Sequence, residues 1–326
     1  MSEAIRASDD PRLRARIVRC EPLVYAEGAS EALDRPPHVR AASGLARVGD
    51  ELVVAQDDTN FVAVRRADGT VEAIPLPPGI GGRRRFEDAL GNKEHKLDLE
   101  AAVALEIEGA PRALLFGSGS SPHRESIAVV NVAARRAALR AAGELYAMLR
   151  ARRDFSGSEL NVEGAIVTGG ALRLFQRGNG APRGELVPID ATGDLELAPF
   201  LAWLAGDGPL PPLTNVRRYE LGRVRGVPFG FTDATLLPDG RVVYSAGAED
   251  SPDAIRDGVV LGARLGIFDE RGLRSTALLG EDGRPTTAKV EGLAAAEMPG
   301  RLYAVTDTDD PERPSLLCEI ALEGPW

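Results

Sequence analysis

Residues 289–307 read KVEGLAAAEMPGRLYAVTD: a short apolar segment with an acid near its start, a turn, and a second apolar segment that ends in polar residues. The pattern recurs about every 60 residues. Its first segments are ASGL (42–45), LEAA (99–102), VEGA (162–165), TDAT (232–235) and VEGL (290–293). Repeats of this length with several short strands each are typical of propellers, in which every repeat is one blade.

Each repeat contains about four short strands joined by tight turns. In the first repeat the strands are predicted at Ala42 to Val48, Leu52 to Gln56, Phe61 to Arg66 and Thr70 to Leu76. In the third repeat they are predicted at Ala165 to Val167, Leu172 to Phe175, Glu185 to Ile189 and Val216 to Val224. Four consecutive strands with short turns favour an antiparallel meander, the form of a blade. We therefore predict an all-β fold, a five-bladed β-propeller in a single domain (1–326), with blades at roughly 40–77, 96–142, 160–225, 229–280 and 287–322.

The N-terminal segment closes the predicted ring. The last repeat has room for three strands, and Arg14 to Tyr25 precedes the first motif without partners in its own repeat, so residues 14–25 are assigned as the outermost strand of the last blade. Cys20 and Cys318 then lie on neighbouring strands, within about 10 Å of each other, and we expect reduced thiols. Six blades are the alternative, if 77–95 or 195–224 contains a further unit.

Two helices interrupt the pattern of strands. Glu144 to Arg153 is rich in helix formers, and Leu197 to Ala205 is a weaker second case. Both are predicted as short connections within an otherwise all-β chain.

The acids of the motif indicate where a site lies. The first strand of a blade lines the central channel, and antiparallel pairing brings its start to the same edge as the end of the second strand. Glu100, Glu163, Asp233 and Glu291 should thus meet at one channel mouth, with Ser43 in the fifth place. The second strands are predicted to add a set of ligand-binding residues: Asp57, Ser118, Arg177, Glu249 and Asp307.

Converging carboxylates repel one another unless a cation, protons or basic side chains neutralise them. Because oxygen ligands suit Ca²⁺ or Mg²⁺, we predict that the four motif acids bind such an ion. The other interpretation is structural: an acid repeated in each blade accepts backbone hydrogen bonds from the next blade, since repeats copy structural devices as readily as sites.

Lysine usage supports a special role for this mouth. The chain has 36 arginines and three lysines, Lys93, Lys96 and Lys289, and each lies just upstream of Glu100 or Glu291. An ammonium is a compact, titratable point charge that a guanidinium does not replace. Lys96 and Lys289 are therefore predicted as catalytic groups that offset charge on a substrate.

Composition argues against several partners. A net charge of -10 and a pI near 5.1 disfavour nucleic acid and anionic membranes as partners. No segment approaches the roughly 18 apolar residues of a membrane span, and residues 1–13 lack the features of a signal peptide, so a cytoplasmic location is expected. Motifs of serine hydrolases, zinc proteases and dinucleotide-binding folds are absent.

The strings KVEGL (289–293), LYAVTD (302–307) and NVEGA (161–165) resemble the Glu-Gly repeats of bacterial propellers in the esterase-like phytase group and, more distantly, the gluconolactonase and regucalcin group. Resemblance to the lactonases implies a divalent metal on a first-strand glutamate, here Glu100, Glu163 or Glu291. Resemblance to the phytase-like group implies phosphate ester hydrolysis. Gluconolactonases have six blades, whereas five repeats are found in this chain.

Two functions of different class follow. In the first, the propeller binds a metal or small ligand at the channel mouth and hydrolyses a phosphate ester or lactone, with metal-bound water as the nucleophile. In the alternative it is a non-catalytic binding or scaffold propeller, whose acidic face holds a small molecule or another protein.

Overall fold

The computed structural model describes residues 3–250 and 258–326, which form an all-β protein of antiparallel sheets with short helices between some strands. The all-β prediction is confirmed. Second strands such as Leu52-Val53-Val54-Ala55 are continuously apolar because both of their faces are buried between neighbouring sheets.

The strands follow one another as antiparallel meanders. Three strands come first: β1 (Ile5–Arg6), β2 (Ser8–Asp9) and β3 (Arg14–Pro22). Meander 1 consists of β4 (Ala42–Val48), β5 (Glu51–Gln56), β6 (Phe61–Arg65) and β7 (Val71–Pro75). Single 3-10 turns at Ile80–Gly82, Asp88–Leu90 and Lys93–His95 lie in the next connection, where no strand is formed. Meander 2 consists of β8 (Leu99–Ile107), β9 (Ala110–Gly117), β10 (Ser126–Asn131) and β11 (Arg136–Ala141), with a 3-10 turn at Pro122–Arg124.

The second half of the chain repeats this arrangement. Helices α1 (Gly143–Ala151) and α2 (Arg153–Ser156) lead to meander 3, which consists of β12 (Val162–Thr168), β13 (Ala171–Gln176), β14 (Asp190–Glu196), helix α3 (Leu197–Ala205) and β15 (Thr214–Glu220). A hairpin of β16 (Arg223–Val224) and β17 (Val227–Pro228) follows. Meander 4 consists of β18 (Gly230–Leu236), β19 (Val242–Asp250), β20 (Val259–Asp269) and β21 (Gly272–Leu279). Meander 5 consists of β22 (Lys289–Ala295), β23 (Arg301–Asp307), β24 (Leu316–Glu323) and β3, which also pairs in parallel with β21 and so joins meanders 4 and 5 in one sheet.

The first strands of the meanders lie next to one another around a central channel. Strand β4 contacts β8 and β22, β12 contacts β8 and β18, and β18 contacts β22. Apolar side chains fill the space between neighbouring meanders: Val53 and Val62 of meander 1, for example, share a cluster with Leu115 and Ala128 of meander 2. The core is therefore a series of interfaces between sheets, and the first strands carry their side chains into the channel.

The predicted helices are present. The segment from Glu144 forms α1 and α2, and α1 buries Leu145, Tyr146 and Leu149 against meanders 2 and 3. Helix α3 has the predicted bounds and packs through Phe200, whose ring centroid lies 6.3 Å from that of Phe116.

One strand of meander 3 was predicted in the wrong place. The sequence indicated a third strand at Glu185 to Ile189, but Arg183 and Leu186 close a tight turn and the strand is β14, Asp190–Glu196. The strand was missed because its sequence, DATGDLE, is polar, although its first six residues are buried. Pairing with β13 and β15 determines the strand where local propensity does not.

Strand β3 pairs with β24 as predicted, and Cys20 lies directly opposite Cys318. Their Cα atoms are 4.0 Å apart, and the two sulfurs form a disulfide between residues 298 positions apart. The predicted proximity is confirmed, but the expectation of reduced thiols is wrong, because directly opposed cysteines lie within bonding distance. No described helix combines the length and hydropathy that a membrane span requires.

Candidate functional site

Each channel-lining strand has a β-bulge close to its start. In β8, β12 and β22 the ladder to the second strand skips one residue, which is Glu100, Glu163 and Glu291 respectively. A bulged residue leaves the pairing and its side chain is redirected. The three glutamates therefore project into the same end of the channel. In β4 the corresponding skip includes Ser43, whose hydroxyl donates to the Leu99 carbonyl.

Asp233 occupies a different position from the glutamates. In β18 the skipped residue is Thr232, one position earlier in the motif, and an offset of one residue reverses the direction of a side chain. The Asp233 carboxylate accepts the backbone N–H groups of Ala234 and Leu293, each at 2.7 Å. Asp233 therefore does not lie at the metal-ligand position predicted for it. Its carboxylate accepts backbone hydrogen bonds, which is the structural role that the sequence analysis gave as the alternative for the motif acids.

The channel end that holds the glutamates encloses a polar cavity of about 50 Å³, which we call the polar mouth. Its ionisable wall groups are Asp57, Asp98, Glu100, Glu163, Glu249, Glu291, Asp307, Lys96, Arg124, Arg177 and Lys289, joined by Ser43, Asn161 and Asn179. Seven carboxylates thus face four cationic groups, so three negative charges are unmatched when all groups are ionised. Ends of the second strands contribute Asp57, Arg177, Glu249 and Asp307, but Ser118 lies behind the wall, where it donates to Asp98.

Lys96 is the centre of one half of the polar mouth. Its buried ammonium donates to Asp57 and lies 2.7 Å from Asp98, which also accepts from Arg124 at 2.8 Å. Burial alone would lower the pKa of Lys96, but Asp57 and Asp98 outweigh it and raise that pKa. The two aspartates thus favour the charged form of Lys96. Burial, together with repulsion from Asp98, raises the pKa of Asp57 to about 8.

Arg177 is the centre of the other half. Its guanidinium lies 3.3 Å from Glu163 and donates to Glu249 at 2.8 Å. The same Glu163 oxygen accepts from Asn161 at 2.6 Å. Burial raises the pKa of Glu163 even though Arg177 opposes the shift. The carboxylate is thus held in a fixed orientation and shifted toward its neutral form.

Glu291 has one carboxylate oxygen that is buried without a hydrogen-bond partner. Its Oε1 lies 3.9 Å from the Lys289 ammonium, while its buried Oε2 has no hydrogen-bond partner. Lys289 itself donates to Asp309 at 2.7 Å. Burial raises the pKa of Glu291 well above its ordinary value. A buried carboxylate oxygen without a partner is costly unless a proton or a cation compensates it.

One group of acids has its carboxylate oxygens close enough together to hold a metal ion, and Glu100 belongs to it. Within the described part of the chain, the carboxylate oxygens of Asp57, Asp98 and Glu100 lie within 4.8 Å of one another. Lys96 already bridges the two aspartates of this group. Glu100, Glu163 and Glu291 line the same cavity; Glu163 is paired with Arg177, and the Glu291 Oε2 atom has no partner. Such an oxygen-only set of side chains fits a hard dication.

Sequence comparison identifies one family. A family of unknown function, DUF6929, matches residues 38–322, from just before β4 into β24. The chain belongs to DUF6929. No curated protein matches this DUF6929 member in sequence.

Several solved structures are similar to the DUF6929 chain over nearly its whole length. The Myxococcus xanthus glutaminyl cyclase is 12% identical, with 99% of this chain and 100% of that one covered and a TM-score of 0.45. For a Xanthomonas campestris gluconolactonase the identity is 14%, the coverage 97% and 99%, and the TM-score 0.38. For Staphylococcus aureus virginiamycin B lyase the values are 10%, 95% and 99%, and 0.38. Likenesses at this level assign no activity to the DUF6929 chain.

Sequence reasoning missed two members of the polar mouth, Asp98 and Arg124. Asp98 lies two residues after Lys96, outside the repeated motif, and has a left-handed backbone with φ of 54°. Arg124 is one of 36 arginines and lies outside the repeated motif, so its sequence position does not distinguish it. The only sequence signal for Asp98 was its position between the rare Lys96 and Glu100.

Proposed function

We propose that the five meanders are the five blades of a single-domain β-propeller whose polar mouth binds one hard divalent cation, Ca²⁺ or Mg²⁺, on Glu100, Glu163 and Glu291. The observation that carries the proposal is the buried, unpartnered Glu291 Oε2 in a cavity with three more carboxylates than cations. Oxygen ligands without nitrogen or sulfur favour these two ions over transition metals. The raised pKa values of Glu163 and Glu291 support it, because protons compensate there for a missing positive charge.

We further propose that this centre hydrolyses a phosphate ester or a lactone. A bound dication would polarise the ester and activate a water molecule. Lys289, close to Glu291, would offset negative charge on the substrate, and Asn161 would keep Glu163 oriented through their 2.6 Å hydrogen bond. Lys96, held by Asp57 and Asp98, would contribute a fixed positive field and no proton transfer.

The second candidate is a cation-binding propeller without turnover. It is favoured by the size of the polar mouth, because about 50 Å³ accommodates an ion with a few waters but no organic substrate. Hydrolysis therefore requires that a substrate approach the mouth from an adjoining space.

Calorimetric titration of resin-stripped protein with Ca²⁺ and Mg²⁺ tests cation binding. Glu163→Gln with Glu291→Gln should abolish it, whereas Glu297→Gln, a surface glutamate paired with Arg47, should leave it unchanged. Wild-type protein that binds neither ion at millimolar concentration contradicts the proposal.

Turnover is tested by screening phosphomonoesters, phosphodiesters and lactones with and without Ca²⁺ or Mg²⁺. Cation-dependent hydrolysis that disappears in the double glutamate variant supports the enzyme. Binding of the ion without hydrolysis of any of these classes selects the second candidate.

A further inference from the structure

A groove of about 1010 Å³ opens beside the polar mouth, between meanders 3 and 4. Its walls come from the loop between β13 and β14, from β15, and from the β16–β17 hairpin. We call this space the side groove. Arg177, Asn179 and Glu249 line both the side groove and the polar mouth, so the two spaces adjoin.

The size and lining of the side groove suit an organic molecule. Its volume is at the upper end of the roughly 300–1,000 Å³ that is usual for small-molecule sites. One part of the wall is apolar and aromatic, with Val187, Ile189, Tyr219 and Phe229. Apolar walls with a few polar groups are what binding sites for small molecules generally contain.

The cationic groups of the side groove differ in how far they are already engaged. Arg6 pairs with Glu220 at 2.8 Å, and Arg177 pairs with Glu163 and Glu249. Arg218, on β15, is half-buried and forms no side-chain hydrogen bond or salt bridge with the described residues. A guanidinium in this setting has its paired N–H donors available for a carboxylate or phosphate.

The inner end of the side groove also has an unused donor. The Arg177 Nε is buried and has no hydrogen-bond partner, although the terminal nitrogens of the same group are paired. Gly230 lies beside it, and a Cβ there would come 2.9 Å from the Arg177 Cγ. An acceptor atom of a bound molecule at this end of the groove would satisfy that donor.

We propose that the side groove binds a small organic anion, with its carboxylate or phosphate on Arg218, its apolar body against Val187 and Phe229, and an acceptor atom at Arg177. This inference rests on the proposed function in one respect: the inner end of the bound molecule would reach the polar mouth. Binding in the side groove itself needs no metal ion.

A matched set of probes tests the anion requirement: naphthalene-2-carboxylate, 1-naphthyl phosphate and the neutral naphthalene-2-carboxamide. Calorimetry on resin-stripped protein should show that at least one anion binds about 10-fold or more tightly than the amide, as expected for charge-assisted hydrogen bonds. Equal binding of anions and amide, or no binding of either anion at millimolar concentration, overturns the proposal.

Two adjacent arginines provide the matched variants. Arg218→Ala should remove the preference for the anion, whereas Arg217→Ala, the exposed neighbour on the other face of β15, should keep it. Arg218→Lys should retain part of the preference for the anion. Thermal melts of all three variants check that each is folded. An unchanged preference in Arg218→Ala overturns the proposal.

Repeating the titrations with Ca²⁺ present separates this inference from the proposed function. If the protein prefers the anions to the amide but binds no Ca²⁺, the side-groove proposal is supported and the proposal of a cation site fails. Ca²⁺ binding without anion preference gives the reverse result and overturns the side groove.

Discussion

The two ends of the central channel are built from the same five strands but differ in chemistry. At the polar mouth, ionisable side chains enclose about 50 Å³. At the other end a cavity of about 390 Å³ has a wall that is mostly small and apolar, which we call the apolar end; it includes Ala46, Ala104, Val167, Leu236 and Ala295. Every channel-lining strand runs from the first end to the second.

The contrast shows what a bulge does to a repeated strand. At the polar mouth the bulge redirects Glu100, Glu163 and Glu291 toward neighbouring charged groups. Beyond the bulge the strands pair regularly, and the side chains that face the channel need no partner. Substitutions at the polar mouth should therefore change charge balance and ligand binding, while those at the apolar end should change packing or exposed contacts and leave ligand binding unaltered.

The largest effect is expected from Lys96→Met. It leaves Asp57 without its counter-charge and Asp98 with Arg124 alone, which should lower the free energy of unfolding by about 3–5 kcal/mol. Arg47→Met at the apolar end removes a cation from an exposed pair with Glu297 and should cost less than about 1 kcal/mol. Urea denaturation of both variants measures the difference, and equal costs would show that the two ends do not differ in this way.

Removing the disulfide should lower the stability of the whole fold and should not act on one channel end alone. Cys20→Ser with Cys318→Ser removes a bridge between residues 298 positions apart, and should lower the free energy of unfolding by about 2–4 kcal/mol. Because the bridge lies on outer strands, Ca²⁺ affinity of the folded protein should not change. Reduced wild type is the control, and a loss of affinity below the melting temperature would show that the polar mouth depends on the bridge.

Asp233→Asn compared with Glu163→Gln separates a structural acid from a mouth acid. An asparagine at 233 places an amide N–H₂ against a backbone donor, so we expect a loss of about 1–3 kcal/mol in stability. Glu163→Gln should weaken Ca²⁺ binding with little change in melting temperature. The reverse pattern would assign the metal-binding role to Asp233.

The last comparison concerns pH. Burial raises the pKa of Asp57 to about 8 and of Asp307 to about 7, against about 4 in an unfolded chain. The folded state therefore holds more protons between pH 4 and pH 8, and stability falls as pH rises through this window. Carboxyls with a lowered pKa, such as Asp34, lose their contribution below this window and do not cancel the effect.

We expect resin-stripped protein to be less stable at pH 8 than at pH 5, and Ca²⁺ to recover most of the loss at pH 8. Asp307→Asn should flatten the profile, whereas Thr235→Ala at the apolar end should leave its slope unchanged. Thermal melts across this range measure both. Stability that increases toward pH 8 without a cation would contradict the assigned charge state of the polar mouth.

Much of the architecture could be predicted from the sequence because its signals are local. Apolar runs separated by turn residues indicated most strands, helix formers indicated α3 with its observed bounds, and the unpartnered segment from Arg14 indicated the pairing of β3 with β24. The repeated motif also identified three glutamates that line one cavity. Strand β14 was not predicted because its polar sequence gives no local signal of burial.

The features that only the tertiary structure decided depend on contacts between residues that are distant in sequence. A one-residue offset of the bulge in β18 is invisible in the motif, yet it turns Asp233 toward a neighbouring strand. The partners of Lys96, the disulfide and the side groove arise where separate sheets meet. The sequence by itself determined the strands and the end of the channel at which the glutamates lie, because strand periodicity and turn chemistry are local. Packing of one sheet against the next decided which charges pair, because that depends on side-chain direction and on distances across the fold.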